Sequence, residues 1–508
     1  MPPSAAPRPT SALPTPPPEA TRSSHPSAGA PGHDAEPTAP VTSAPATTTA
    51  PSTTTEEVSP AILRRVTAAA FGGTVIEWFD FAVYGYTASA LAATFFPSDT
   101  AVGGLLQTFA VFAVAFAMRP LGGLVFGRLG DRLGRRKVLL ATVFLMSIST
   151  AIIGLLPGHA SIGILAPILL TVARCLQGLS AGGEYAGAVA YVIEHAPARK
   201  RAFYASAMPA ATFGSFAAAA LLCWLITQAI GSAAFDEWGW HIPFLAAIPM
   251  GIIAFLIRSH LEETPEFTRM QQERAERGAS AAAHLPFGEV LRREGRMMLT
   301  LGGFIAVTGL SFYIFSTYMT TFLRTVAEMP ANVVLGSNVV ALLCATALAP
   351  VMGLLSDRLG RRPVMVGALV ALAVASVPAY LLAAGGGFGN ALIGQLLIAV
   401  GAVACNVSTA VMLSEAFATV SRYTASAVAY NIAYAIFGGT APYVATFLVD
   451  RTIDIAPAIY LTAMALLALI AVRLLPETRG RDLSGPAWPA KGAGSEEERA
   501  APATAARV

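Results

Sequence analysis

Apolar stretches of roughly 18–25 residues recur along the chain from residue 66 onward. As a helix, each is long enough to cross about 30 Å of hydrocarbon at about 1.5 Å per residue. Twelve such helices are predicted, over residues 66–92, 103–127, 138–157, 161–182, 203–230, 241–258, 298–323, 333–354, 363–384, 390–413, 423–448 and 455–475. A longer polar stretch from 259 to 297, containing EETPEFTRMQQERAERGAS, separates the first six from the last six. The pattern predicts an all-α membrane protein with twelve transmembrane helices in two six-helix bundles. Residues 61–260 form the first bundle, 261–297 a cytoplasmic linker, 298–476 the second bundle and 477–508 a cytoplasmic C-terminal tail. Residues 1–60 are Pro, Ala, Ser and Thr with very few large apolar side chains. Such a segment has too little apolar area to offset its ordering entropy, and it is expected to be a disordered tail. It has no apolar core and no cleavage pattern, so it does not read as a signal peptide.

Composition sharpens this picture. Of 508 residues, 55% are hydrophobic and only 12% charged, against about 25% charged in a soluble globular chain. The net charge of +3 and the absence of a basic stripe with interleaved aromatics give no footprint for nucleic acid. Cys175, Cys223, Cys344 and Cys405 stand singly in apolar runs and read as reduced, packed thiols. No nucleotide loop, metal cluster or nucleophile elbow is present, so no enzymatic activity and no cofactor is expected.

The charges also orient the chain. Arg64 and Arg65, then Arg128, Arg132, Arg135, Arg136 and Lys137, then Arg199, Lys200 and Arg201 lie in alternate breaks. Further basic residues follow in the central stretch, at Arg358, Arg361 and Arg362, at Arg422, and from Arg473 onward. The opposite breaks hold only Arg324 and Arg451. By the positive-inside rule the crowded side is cytoplasmic, with both termini inside, in the cell inner (plasma) membrane.

An internal repeat runs through the same breaks. Gly127–Lys137, GRLGDRLGRRK, follows the second span, and Gly353–Pro363, GLLSDRLGRRP, follows the eighth. Glu194 with Arg199 and Arg201 is echoed by Glu415 with Arg422, and EETPEF after span six by LPETRGR after span twelve. Duplicated halves of this kind point to two bundles related by an axis along the membrane normal.

On these residues the chain resembles the major facilitator superfamily, whose most specific signature is the GxxxDRxGRR loop. The resemblance covers roughly residues 61–480. Within the superfamily it is similar to the metabolite:proton symporters, through EWFDFAVYGY, RPLGGLVFGRLGDRLGRR, RCLQGLSAGGEY and YNIAYAIFGGTAP. It is most similar to the proline/betaine transporters, through RRVTAAAFGGTVIEWFDFAVYGY, MSISTAIIGLLP, SIGILAPILL and LEETPEF. The resemblance implies the major facilitator fold and a proton-coupled symporter importing a small zwitterionic solute such as proline or glycine betaine. Its partners would be the solute, protons and the lipid bilayer, with a monomer as the working unit. The chain departs from that group in carrying His241 where Arg usually precedes IPF, in a tail over 477–508 without heptads, and in its long N-terminal segment. The missing heptads argue against osmotic tuning through a coiled coil. Two other functions compete: a proton symporter for a carboxylate such as 2-oxoglutarate, citrate or shikimate, and a membrane sensor that keeps the fold without transport.

The candidate site follows from charges inside the spans. Residues at i, i+3 and i+7 share a helix face, so Glu77, Asp80 and Tyr84 form one polar stripe. Acids within a membrane span face the bundle interior or a wet cavity. In the fourth span Arg174, Gln177, Ala181 and Glu184 repeat that spacing, and Gly178, Gly182 and Gly183 permit close helix approach. Arg174 does not readily deprotonate, and Glu77 or Asp80 is its expected partner. Such a carboxylate can couple protons, or it can simply lock two helices. Arg119 in span two reads either as an anion-attracting gate or as a side chain snorkelling to the headgroups. Asp131, Arg132, Arg135, Asp357, Arg358 and Arg361 are expected to form gating clamps. Tyr313, Tyr318, Asn406, Tyr430, Asn431 and Tyr434 place polar and aromatic groups within spans of the second half. Tyr430 and Tyr434 share a face that could hold a quaternary ammonium, or serve ordinary packing. Gly438–Pro442, GGTAP, is expected to break span eleven and act as a hinge.

Overall fold

The computed structural model describes residues 60–133, 135–182, 184–259, 287–418, 421–481 and 483. The expected N-terminal tail, most of the linker and the chain beyond 483 lie outside the described residues. Long apolar sequences fold as helices here because hydrocarbon leaves backbone N–H and C=O groups no partners but each other. We label the spanning helices α1 (Pro60–Tyr86), α2 (Ala101–Leu133), α3 (Arg135–Leu155), α4 (Leu165–Ser180, resumed as Glu184–His195), α5 (Ala207–Ile230) and α6 (Ala247–Ser259). The second half holds α7 (Phe287–Thr325), α8 (Ala331–Leu359), α9 (Arg361–Ala384), α10 (Phe388–Glu415), α11 (Arg422–Arg451) and α12 (Ala456–Leu474). Among the described residues nine helices are long and apolar enough to cross a membrane, and two shorter apolar ones lie in α3 and α6. With α1, interrupted by its two acids, the spans number twelve.

Each half packs its own six helices. The halves meet where α5 lies on α8, α2 on α11, α4 on α10 and α1 on α7. Leu155, Leu299, Val374, Leu467 and Ile470 are exposed on the outside, as expected of surfaces solvated by lipid. The inward surfaces of α1, α2, α5 and α7 are aromatic. Trp78, Phe81, Phe112, Phe116, Phe213, Phe216, Phe312 and Tyr313 form one buried cluster across both halves.

Both copies of the repeated motif have the same build, and neither is an extended loop. α2 runs to Leu133 and α3 starts at Arg135; α8 runs to Leu359 and α9 starts at Arg361. In the second copy the whole turn is Gly360, at φ +105°, a backbone region that side chains rarely adopt. α7 begins at Phe287, so the end of the stretch expected as linker is helical. α11 is interrupted as the GGTAP stretch predicts, by a π turn over Tyr434–Gly438 before the helix resumes at Ala441. A second π turn, Ile314–Tyr318, lies within α7, and the two helices touch at Gly309 and Gly438. A Cβ added to Gly309 would stand 3.3 Å from the Gly438 Cα.

Candidate functional site

The polar stripe of α1 faces inward, and Glu77, Asp80 and Tyr84 are all buried. Their partners differ from the expected ones. Glu77 pairs with Arg119 of α2, Oε1 to Nη2 at 3.5 Å. Arg119 also donates to the Ala181 carbonyl at 3.4 Å, and its guanidinium lies 5.4 Å from the Trp78 and Phe116 ring centres and 5.5 Å from that of Phe81. At 1% exposure Arg119 is not snorkelling.

Asp80 accepts a hydrogen bond from Thr150 of α3, Oγ1 to Oδ2 at 2.6 Å. Thr150 accepts one from Gln177 Nε2 at 2.5 Å, and the Gln177 carbonyl accepts one from Arg174 Nη1 at 2.7 Å. Arg174 and Asp80 are thus joined through two neutral side chains, and among the described residues no carboxylate lies within ion-pair distance of Arg174. Its guanidinium stacks 4.0 Å from the Tyr84 ring centre, with Phe81 and Phe112 at 5.3 and 5.4 Å. Its Nε and Nη2 atoms are buried and have no hydrogen-bond partner among the described residues. Tyr84 donates to the Thr108 carbonyl at 2.9 Å.

The expected direct pair of Arg174 with an acid of α1 fails for a steric reason. The small residues of α4 bring that helix onto α2. A Cβ on Gly178 would sit 1.9 Å from the Ala115 carbonyl oxygen, and one on Gly182 would sit 2.1 Å from that of Arg119. This contact inserts Arg119 beside Glu77 and leaves Arg174 one turn further along, against Tyr84. A cavity of about 20 Å³ lies on the other side of the acids, lined by Glu77, Asp80, Thr142, Ser147, Ser180 and Met250 among others. It has room for about one water molecule.

The second half closes the site with aromatics. Tyr185 and Tyr430 stack across the two halves, with centroids 4.8 Å apart and planes 12° apart. Tyr430 and Tyr434 are 4.3 Å apart, and Trp78 lies edge-on to Tyr185 at 6.0 Å and Tyr434 at 6.4 Å. Tyr434 donates to Asn406 Oδ1 at 3.1 Å. Asn431 donates to the Gly182 carbonyl at 2.7 Å, tying α11 to α4. Tyr313 faces Phe112 and Phe116 edge-on. Tyr318 lies apart from this group, near Tyr380 and Asp454.

At the basic end, Asp357 accepts from Arg361 Nη1 at 2.9 Å and from the backbone N–H groups of Ala202 and Phe203 at 3.0 and 2.9 Å. It therefore ties α8 to the segment leading into α5. Arg361 also grips Glu415 with Nε and Nη2 at 3.0 and 2.9 Å and donates to the Ser356 carbonyl. Arg422 pairs with Glu194 of the first half at 3.0 Å. Arg358 is exposed. The side chains of Asp131, Arg132, Arg135 and Glu184 lie outside the described residues. Glu477, just after α12, caps α9, accepting from the backbone N–H groups of Arg361 and Arg362 at 2.9 and 3.0 Å. At the opposite end Arg324 pairs with Asp236 at 2.8 Å, so the halves are joined at both ends.

Sequence reasoning missed Thr150, Glu415 as the partner of Arg361, and the cap from Glu477. The echo of Glu194 and Glu415 in the two halves was the available signal for the second of these. His241 stacks on Trp240 at 3.7 Å and bonds the Gly154 carbonyl at 2.7 Å.

With this geometry in view, known proteins place the chain. The profile of the Sugar (and other) transporter family matches residues 66–286, and that of the Major Facilitator Superfamily matches residues 337–504. The Proline/betaine transporters of Salmonella typhimurium and Escherichia coli K12 are each 40% identical over 430 residues, covering 83% of this chain and 85% of theirs. The chain belongs to the major facilitator superfamily, in the family of the proline/betaine transporters. The Ectoine/proline transporter ProP of Corynebacterium glutamicum is 37% identical over 437 residues, covering 84% of this chain and 87% of its own. Among solved structures, the proton:xylose symporter XylE superposes with a TM-score of 0.65 at 18% identity, over 84% of this chain and 98% of its own. That likeness carries the fold. This is a family of transporters rather than enzymes, and the chain is a multi-pass membrane protein.

Proposed function

We propose that the protein imports a small zwitterion of the proline or glycine betaine class together with a proton. The observation that carries this reading is the free edge of Arg174. Its Nε and Nη2 atoms, buried and without partners among the described residues, form the edge of a guanidinium that takes a carboxylate with two parallel bonds. The cationic end of the solute would meet the aromatic wall of Trp78, Tyr185, Tyr430 and Tyr434, where a cation over ring faces gains about 0.5–2 kcal/mol. The 37–40% identical relatives named for proline, betaine and ectoine support the same class.

Charge balance supplies the coupling. Among the described residues the centre holds two carboxylates, Glu77 and Asp80, and two guanidiniums, Arg119 and Arg174. With both acids ionised the set is neutral. A proton on Asp80 leaves one positive charge in excess, at the far end of a hydrogen-bonded chain from Arg174. A solute carboxylate then neutralises it, so proton and solute favour each other's binding. Asp357 with Arg361, and Glu194 with Arg422, act as the lock at the basic end, which faces the cytoplasm by the positive-inside rule together with both termini. The protein works as a monomer in the plasma membrane.

A zwitterion moving with one proton carries one positive charge inward. A potassium-diffusion potential, negative inside, therefore stimulates uptake in proteoliposomes without a pH gradient, at about 2.3 kcal/mol per charge per 100 mV. Slowing by that potential would replace the zwitterion with a dicarboxylate.

A further inference from the structure

Among the described residues it is Thr150 that hydrogen-bonds the Asp80 carboxylate, and its hydroxyl has two acceptors in reach. Oγ1 lies 2.6 Å from Asp80 Oδ2 and 2.9 Å from the Met146 carbonyl oxygen of its own helix. A hydroxyl has one proton to donate and two lone pairs to accept with. It can serve only one of the two acceptors at a time. Gln177 Nε2, at 2.5 Å, occupies one lone pair and is itself held by Arg174, so the oxygen is pinned while the O–H remains free to rotate.

We propose that Thr150 is the positioning residue that reads the proton on Asp80, donating to Asp80 when the carboxylate is charged and to the Met146 carbonyl when Asp80 carries the proton. The inference rests on Asp80 being the coupling acid of the proposed symport. In the ionised state the bond from Thr150 to the carboxylate is charge-assisted and outcompetes a neutral carbonyl. A proton taken up by Asp80 turns the carboxyl into a donor. The second lone pair of Thr150 accepts it, and the hydroxyl proton swings to Met146. Every group keeps a partner in both states. The proton itself comes from solvent and no other bond is made or broken.

The swing has a mechanical side. A threonine bonded to the carbonyl four residues back bends its helix slightly, so the Asp80 proton adds a back-bond within α3. Met146 and Thr142 of α3 line the small cavity beside the two acids, opposite Ala247 and Met250 of α6. Among the described residues, the titratable and charged groups around the network that joins Asp80 to Arg174 are Glu77 and Tyr84 on α1, Arg119 on α2, Arg174 and Cys175 on α4 and Tyr313 on α7. Among the described residues α3 and α6 present Thr142, Val143, Met146, Ser147, Ala247 and Met250 to this cavity, none of them charged, so Thr150 is the contact through which α3 senses the charge.

The test is an infrared titration of the purified full-length protein without solute. The carboxylic acid C=O band that disappears in Asp80→Asn is followed against pH. Thr150→Val keeps the branched shape and removes the hydroxyl. The ionised state loses the stronger of its two alternative bonds, and the midpoint moves up by about one pH unit, a tenfold change in proton concentration. Thr150→Ser restores the original midpoint. Thr150→Ala removes the hydroxyl with less bulk and carries the same expectation where the valine variant is not recovered. An unmoved midpoint in the variant lacking the hydroxyl overturns the proposal, as does a wild-type protein with no titrating Asp80 band. Because no solute is present, failure of the zwitterion reading leaves this result standing. Conversely, potential-driven uptake can persist with an unmoved midpoint, in which case only the role of Thr150 falls.

Discussion

Arg361 and Arg174 are both fully buried, yet their surroundings are opposite. Arg361 spends its donors on Glu415, Asp357 and the Ser356 carbonyl, and the acids it grips are themselves bonded to Thr478, Ala202 and Phe203. Among the described residues the Arg174 guanidinium has one hydrogen bond, to a neutral amide, and an aromatic ring under its plane. A buried ion pair gains little over an apolar filling, but breaking one is costly because a charge is left stranded. The saturated arginine therefore holds a conformation together. The unsaturated one bears a standing cost that a ligand can relieve, which is the difference between a lock and a binding site.

The largest expected effect tests the lock. Arg361→Ala strands Glu415 and Asp357 and costs about 3–5 kcal/mol, read as a steep loss of thermal stability in detergent. If Arg174→Ala destabilises as much, the contrast is broken. We expect instead that Arg174→Ala melts close to the wild type and weakens solute binding by roughly one hundredfold, the worth of two charge-assisted bonds. Arg174→Lys does not restore binding, because an ammonium lacks the two-pronged edge. A labelled-solute binding assay decides this. Asp357→Asn sharpens the comparison at about 1–3 kcal/mol. It weakens the tie between α8 and the start of α5, so a cysteine introduced at Phe203 becomes more reactive to thiol reagents while solute binding survives.

The smallest effect is at Glu477. Burial raises its carboxyl, but three backbone N–H donors, from Arg361, Arg362 and Arg479, together with the Arg361 charge, outweigh this and hold it below the usual carboxylate range. A depressed acid contributes its stability above its unfolded value near 4.5 and loses it as pH falls through the lower, folded value. The exposed position lets solvent screen the interaction, so the loss stays below the ~1 kcal/mol typical of a helix cap. Melting curves below pH 4.5 show it, and Glu477→Gln removes the pH dependence.

How much of this was legible beforehand varied with the physics involved. The spans were legible because a bilayer imposes length and apolarity on each of them, and the α1 stripe because helical spacing alone assigns Glu77, Asp80 and Tyr84 to one face. The partner of Arg174 was not. It depends on how α2 and α4 cross, and that is decided by backbone contacts at Gly178 and Gly182 which spacing does not encode. Thr150 was illegible for another reason: a threonine in an apolar helix ordinarily bonds its own backbone, and the Met146 carbonyl lies within reach of Thr150 for that purpose.

The π turns of α7 and α11 have a consequence for motion. Such a turn holds more residues than an α turn for about the same advance, so each helix carries slack of roughly one residue. Reabsorbing it would rotate everything beyond by about 100° and lengthen the helix by about 1.5 Å. Tyr313 and Ser316 on α7, and Tyr434 on α11, sit at or beside these turns. Among the described residues, the helices that carry the charged groups, α1, α2 and α4, have no such turn. The second half can thus re-aim Tyr313 and Tyr434 in a single register step, as a ratchet does, while Trp78, Tyr185 and the charged groups opposite keep their aim.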